Sequence, residues 1–474
     1  MNTARRIAQN TAARSLAEML NRLGSALFWV LVTRAHGPRG LGILALSVSL
    51  ASVFSMLATL GLGSLVIREV SKDERRSGEW LVAGLMLGSM GTAVAMVGMA
   101  AFTRVMGYEA EAVKACDLMV LSLVPTSLFY WLRAVLCGLQ EMRYPALGRA
   151  IENGVKVLGG AVMIKCGASI LSLVLLVTVS RAVGATALSV VTFRHAKVGS
   201  LRLNWSVIRS MAAETPVFLG TTLFNSLFWS VPVMLLPKLG SVEEAGLYSA
   251  AYKIVDLLLL LSSAFALAVF PVIARMSRLS ERMFRDLCLK SMKLVLFFSV
   301  AMAAGGTVLA DKIVLLLYGR GMLSAAPGLQ VLIWSLLSAG LTTIAAYALI
   351  ARNQQRLDMV SNAGAFAAMV VCNVLMIPRA GAMGAALATL MASVLFAIVE
   401  LYFVDRRLFL LPLRGAAVKP FLAALAMVVV VMLCHNSFLL VQIAVGGLVY
   451  ALFLLTTKAI TPADRELLRQ LRTI

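Results

Sequence analysis

The sequence predicts an all-α integral membrane protein of about fourteen transmembrane helices, and three observations carry that prediction. The 474 residues are 60% hydrophobic and only 14% charged, with a mean hydropathy of +0.90. Soluble domains run near half apolar and about a quarter charged. Apolar stretches of about 20 residues, the length that crosses a hydrocarbon core, recur along the whole chain. Basic residues crowd into alternate connections between those stretches, as they do in multi-spanning proteins. A water-soluble enzyme is excluded, because too few polar side chains remain to cover its surface. Disorder is excluded by the same numbers.

Taken in order, the spans fall at 14–33, 41–66, 80–102, 115–138, 147–166, 168–192, 214–236, 246–272, 291–310, 328–350, 358–377, 381–404, 418–434 and 438–457. The first contains Glu18, Asn21 and Arg22 and lacks a small-residue cleavage site, so it reads as a retained helix and not a signal peptide. Segment 203–213, beginning Leu203-Asn204-Trp205, reads as a short interfacial helix. Connections are too short to hold an extramembrane domain.

The 43 Lys and Arg exceed the 22 Asp and Glu by a formal +21. On a soluble chain that balance would suggest nucleic acid. Here 29 of the basic residues fall in one set of alternate loops, 9 in the other and 5 inside spans. The asymmetry places both termini of a multi-pass membrane protein in the cytoplasm, beside anionic lipid, with no nucleic-acid partner expected. The six cysteines and three histidines are scattered without ligand spacing, so no metal and no disulfide framework is expected.

An internal repeat organises the spans. Leu27-Phe28-Trp29 in the first span returns as Leu227-Phe228-Trp229 in the seventh. Each is followed by a short loop and a Gly-Leu opening the next helix, Gly40-Leu41 and Gly246-Leu247. Two pseudo-symmetric six-helix lobes are expected, at 1–200 and 201–410, with 411–474 supplying two extra helices and a cytoplasmic tail. Repeats of this kind build transporters around a site near the bilayer midplane.

Ionisable groups within spans are costly and face a cavity or a partner. Glu18 and Arg22, Glu152 and Lys156, and Lys253 and Asp256 are spaced three or four apart. Each pair therefore shares a helical face, and self-neutralisation competes with a role in a site. Arg133 and Arg181 have no carboxylate at those spacings, which makes them the stronger candidates for a positive charge directed into a cavity. For them the competing readings are snorkelling to an interface and pairing with another helix. With Asn21 and Asn225 as hydrogen-bonding groups, the interior tilts positive, as a phosphate-bearing substrate requires. The asparagines read more readily as helix–helix contacts.

The loop His36-Gly37-Pro38-Arg39-Gly40-Leu41-Gly42, the turn Leu60-Gly61-Leu62-Gly63 and the closing Arg68-Glu69-Val70 give the chain a family likeness. It resembles the polysaccharide transporters, the O-antigen and exopolysaccharide flippases of the multidrug/oligosaccharidyl-lipid/polysaccharide exporter superfamily. The resemblance implies a V-shaped two-lobe bundle that moves an undecaprenyl-diphosphate-linked oligosaccharide between leaflets by alternating access. It implies Arg22, Arg133, Arg181 and Lys253 as cavity residues, with no cofactor beyond a proton or sodium gradient. Glu18, Glu214 and Asp256 are the ion-coupling candidates. The implied partners are membrane lipids and, in the same pathway, a polysaccharide polymerase and glycosyltransferases.

Three other readings compete. A lipid II flippase would share the architecture, and a cation-coupled multidrug exporter would favour acids over arginines. A membrane polymerase or glycosyltransferase would need a large outer loop or an Asp-x-Asp pattern, and the sequence has neither. No Walker-type glycine loop is present, so ATP hydrolysis is not expected.

Overall fold

The computed structural model describes the backbone of residues 3–195, 198–411, 413–457 and 459. Side chains are described from residue 24 onward, apart from 195–197, 217, 221, 222, 224, 225, 412–417 and 458. The described residues are helical and contain no strand. The chain divides into two compact units, Met1–Gly246 and Leu247–Ile474.

The first unit holds α1 (Thr3–Thr59), α2 (Gly63–Lys72), α3 (Ser77–Met106), α4 (Ala110–Val120), α5 (Leu123–Gly138), α6 (Arg143–Lys165), α7 (Ile170–His195), α8 (Trp205–Leu239) and the start of α9 (Val242–Leu279). The second holds the rest of α9, then α10 (Glu281–Tyr318), α11 (Ala326–Leu332), α12 (Ser335–Ala351), α13 (Gln355–Arg407), α14 (Leu413–Leu433) and α15 (Leu439–Thr456).

Among the described residues eight helices are long and apolar enough to cross a membrane, and α11 with α12 makes a further path bent by 43°. Two of the long helices are each two arms. Within α1, Gly37 takes φ 63° and ψ −161°, and in α13 Gly381 takes φ 52° and ψ −130°. Only glycine adopts such angles without strain, and Pro38 then withholds its N–H from the ladder. These breaks fall where two pairs of spans were expected to part, at 33–41 and 377–381, so about fourteen crossings remain consistent with the fold. The separate interfacial helix expected at 203–213 is absent: Asn204 caps a helix that runs unbroken from Trp205 to Leu239. The Asn204 side chain accepts from the Ser206 N–H at 3.0 Å, which fixes the start of α8 and feeds the chain straight into the span.

The first unit is centred on Trp131 of α5, which is 1% exposed. Gly84 and Gly88 on α3 make room for it, since a Cβ at either would lie 2.5 Å or 2.1 Å from the indole. At one end of this unit the α1 break is clasped by the start of α9. A Cβ on Gly42 would stand 1.9 Å from the Val242 carbonyl oxygen, and one on Gly246 1.8 Å from that of Pro38. Backbone here meets backbone, a packing that small residues permit in membranes. Arg39 bridges the same end, reaching Glu109 at 2.8 Å, Glu243 at 3.2 Å and Glu111 at 3.6 Å.

In the second unit α10 is the central post. Phe284, Met292 and Val295 are buried against Ile344 and Ala348 of α12 and Val404 of α13. The last two helices join this unit by packing on α10, where the Tyr450 hydroxyl donates to the Phe297 carbonyl at 2.8 Å. Outward faces carry bare apolar side chains such as Val97 (71% exposed), Leu158 (71%) and Leu425 (62%). Water would not tolerate such a band, and lipid does.

Candidate functional site

The helices that build the site are α6 and α7. Gly148 and Gly184 face each other across them, and a Cβ on Gly184 would lie 2.9 Å from the Glu152 Cβ and 3.1 Å from the Gly148 carbonyl oxygen. That close approach brings Arg149, Glu152 and Lys156 of α6 beside Arg181 of α7. The three α6 residues lie on one face because their spacings are three, four and seven.

Arg149 donates to Glu152 at 2.7 Å and lies over the Phe129 ring, 4.2 Å from its centroid. Arg181 donates to the Ser122 hydroxyl at 2.8 Å. It is also held electrostatically by Glu152 and opposed by Arg149. Lys156 Nζ stands 6.0 Å from the centroid of Phe28 on α1. Glu152 and Lys156 are buried, at 6% and 9% exposure, while the Arg149 side chain keeps 44%. Arg181 lies about 16 Å along α7 from its Ile170 end, well inside the span. Among the described residues, Glu152 thus pairs with Arg149 and acts on Arg181, with Lys156 one turn further along α6, and the guanidinium groups are of the kind that bind anions in bidentate form.

This arrangement corrects two expectations. Arg181 is not an isolated charge: Glu152, on the neighbouring helix, acts on it where no carboxylate stands at i±3 or i±4. Arg149, assigned to a loop with Arg143, belongs to the site, because α6 begins at Arg143 and carries Arg149 more than a turn inside. The three-residue spacing of Arg149 and Glu152 was the signal that could have found it.

The other candidates are not gathered here. Arg133 is exposed on α5, and among the described residues its interaction is electrostatic, with Tyr130. Glu214 is exposed on α8. Lys253 and Asp256 are half-buried on α9 in the second unit. Glu18, Asn21, Arg22 and Asn225 have side chains outside the described residues.

A second ionisable pair was missed altogether. Glu400 is fully buried at 0% exposure, and neither of its carboxyl oxygens has a hydrogen-bond partner. It lies alongside Asp358 and Ser361 on the other arm of α13. Both acids sit at the edges of their predicted spans, where a charge reads as interfacial. Their near-equal distance from the Gly381 break is what a hairpin needs to bring them together.

Residues 7–277 match the model of the polysaccharide biosynthesis protein family. The chain belongs to that family. Its fold is shared by solved flippases and transporters. It is similar to the lipid II flippase MurJ in an inward closed conformation, with a TM-score of 0.74 and 17% identity over 93% of this chain and 98% of that one. It is also similar to a multidrug resistance MATE family transporter of the MOP superfamily in an inward-facing conformation, with a TM-score of 0.69 and 14% identity over 82% of this chain and 94% of that one. A third likeness is to a MOP superfamily transporter from Pyrococcus furiosus whose binding pocket is described as reversed in polarity. There the TM-score is 0.59 and the identity 12%, over 84% of this chain and 95% of that one. No curated protein sequence matches.

Proposed function

We propose that this protein is a flippase that moves an undecaprenyl-diphosphate-linked oligosaccharide from the cytoplasmic to the periplasmic leaflet of the inner membrane, for O-antigen or exopolysaccharide synthesis. It acts as a carrier and not as an enzyme. The observation that carries this reading is the Arg149–Glu152–Lys156–Arg181 cluster inside a lipid-facing helical unit of a polysaccharide biosynthesis family member. A diphosphate crossing a membrane must exchange its hydration for charge-assisted hydrogen bonds, and guanidinium groups supply these in bidentate form. Glu152 keeps the site from repelling itself when empty and holds Arg149 in place. Alternating access between two lobes would expose the cluster to each leaflet in turn.

The test is reconstitution of the purified chain in liposomes, following leaflet exchange of a fluorescent undecaprenyl-diphosphate oligosaccharide. Exchange that depends on both diphosphate and sugar supports the reading. Efflux of a cationic dye under an ion gradient, without lipid exchange, would replace it with drug export. The fold likeness to MurJ over 93% of the chain favours one second reading, a lipid II flippase. That reading also places a diphosphate on the cluster, and a pentapeptide-bearing probe that outcompetes the oligosaccharide probe would establish it.

A further inference from the structure

The second unit buries an ionisable group on α13 away from the cationic cluster. Glu400 is wholly enclosed, and both of its oxygens lack a donor. A buried carboxylate in that state would forfeit its hydration with nothing in return, which costs several kcal/mol. Asp358, half-buried in the first turn of α13, is the charged group that acts on it. Asp358 itself accepts from the Asn362 amide at 3.1 Å.

Among the described residues no cation acts on the pair: α10, which meets Val404, carries Lys290 and Lys293, and neither acts on Glu400 or Asp358. Helices α11 and α12, which lie against α13, contain no basic residue. Beyond α12, Arg352 is engaged by Glu281 at 3.9 Å and lies 4.8 Å from the Phe284 ring centroid. From α9, Tyr248 meets this helix at Thr389, about 16 Å along the arm from Glu400. Calcium takes six to eight oxygens and magnesium six, zinc takes four ligands, and among the described residues no third acidic, His or Cys side chain joins the two acids. Two carboxyls this close cannot both ionise in an apolar site, and a single shared proton satisfies them.

We propose that Glu400 and Asp358 form a proton-binding site: one proton, taken from water at the Asp358 end of the hairpin, rests on a Glu400 oxygen and is donated to the Asp358 carboxylate. Opening the two arms returns that proton to water and leaves two carboxylates that repel each other. The hairpin thus has a closed, protonated form and an open, deprotonated one. The site stands on its own geometry, and its use to drive transport rests on the flippase reading.

The experiment separates these two claims. Infrared spectra of the purified full-length chain, compared with Glu400→Gln and Asp358→Asn, read the protonated-carboxyl band directly and need no substrate. The band should be present in the wild type, absent in Glu400→Gln and shifted in Asp358→Asn. A Glu400→Gln spectrum identical to wild type overturns the site, and loss of the band on adding sodium at constant pH overturns it in favour of a sodium site. In liposomes, a one-unit pH gradient should bias the leaflet distribution of the fluorescent lipid-linked oligosaccharide by up to about tenfold for one proton per cycle. Glu400→Gln should abolish the bias while leaving exchange intact. An equal bias in both overturns the coupling. Absence of exchange in the wild type, with the band still present, removes the flippase reading and not the proton site.

Discussion

The two units are built by the same rule and carry opposite polarity in their interiors. In the first, small residues bring α6 and α7 together around three cations and one carboxylate. In the second, the arms of α13 close on two carboxyls, one of them fully buried and without a hydrogen-bond donor. Charge of one sign buried in hydrocarbon is stable only when a partner arrives, and the two partners differ. On the proposed reading the first unit takes an anion and the second a proton.

The largest effect should come from breaking the cationic half. Arg181→Ala and Arg149→Ala should each slow leaflet exchange by about tenfold to a hundredfold, the range of one charge-assisted hydrogen bond. Membrane insertion should be retained, and Arg181→Lys should restore part of the rate. Normal exchange by both alanine variants would remove the cluster from the transport path.

Close behind come the glycines of the first unit. Gly42→Val or Gly246→Val places a side chain on a backbone carbonyl less than 2 Å away. Overpacking of this kind should cost about 1–3 kcal/mol and lower the melting temperature in detergent. Gly364→Ala inside α13 of the second unit, where nothing lies within 4 Å of the new Cβ, is the control and should leave melting unchanged or raise it slightly.

The two buried glutamates sharpen the contrast further. Glu152→Gln strips Arg149 of its 2.7 Å partner and should destabilise by about 1–3 kcal/mol. Glu400→Leu exchanges a fully buried carboxyl for an apolar side chain and deprives half-exposed Asp358 of one donor, so it should cost less than Glu152→Gln. Thermal melts of the two variants side by side would expose an error in either assignment.

The smallest effect should lie outside the spans, at Glu69. The Lys72 hydrogen bond, with help from Arg68, holds its carboxyl below the ordinary glutamate range. The folded state therefore gains from this group at neutral pH and loses that gain as pH falls through the acid range. Lys72→Ala should shift stability by no more than about 0.5 kcal/mol, because the pair is exposed to solvent. A larger shift at neutral pH would mean that α2 is more deeply packed than it is here.

Much of the fold was legible because membranes impose a simple code. Span length and apolar content announce themselves in one dimension, and Gly37-Pro38 marked the first break in plain view. Arg181 could also be singled out, since an arginine well inside an apolar run stands apart on any reading. Its partner could not be identified. Glu152 reaches it from another helix, and the Gly148–Gly184 approach that allows this has no expression in local spacing. Arg149 and Glu400 were hidden by the same ambiguity, because a charge near the end of a span reads as interfacial until the helix start or the hairpin partner is known.

Composition and periodicity determined that this chain is helical and multi-spanning, since those properties follow from the cost of burying backbone in hydrocarbon. The tertiary structure decided which charges share a site. Side chains far apart in sequence meet only where helices cross, and small residues set those crossings by letting two backbones approach within contact distance.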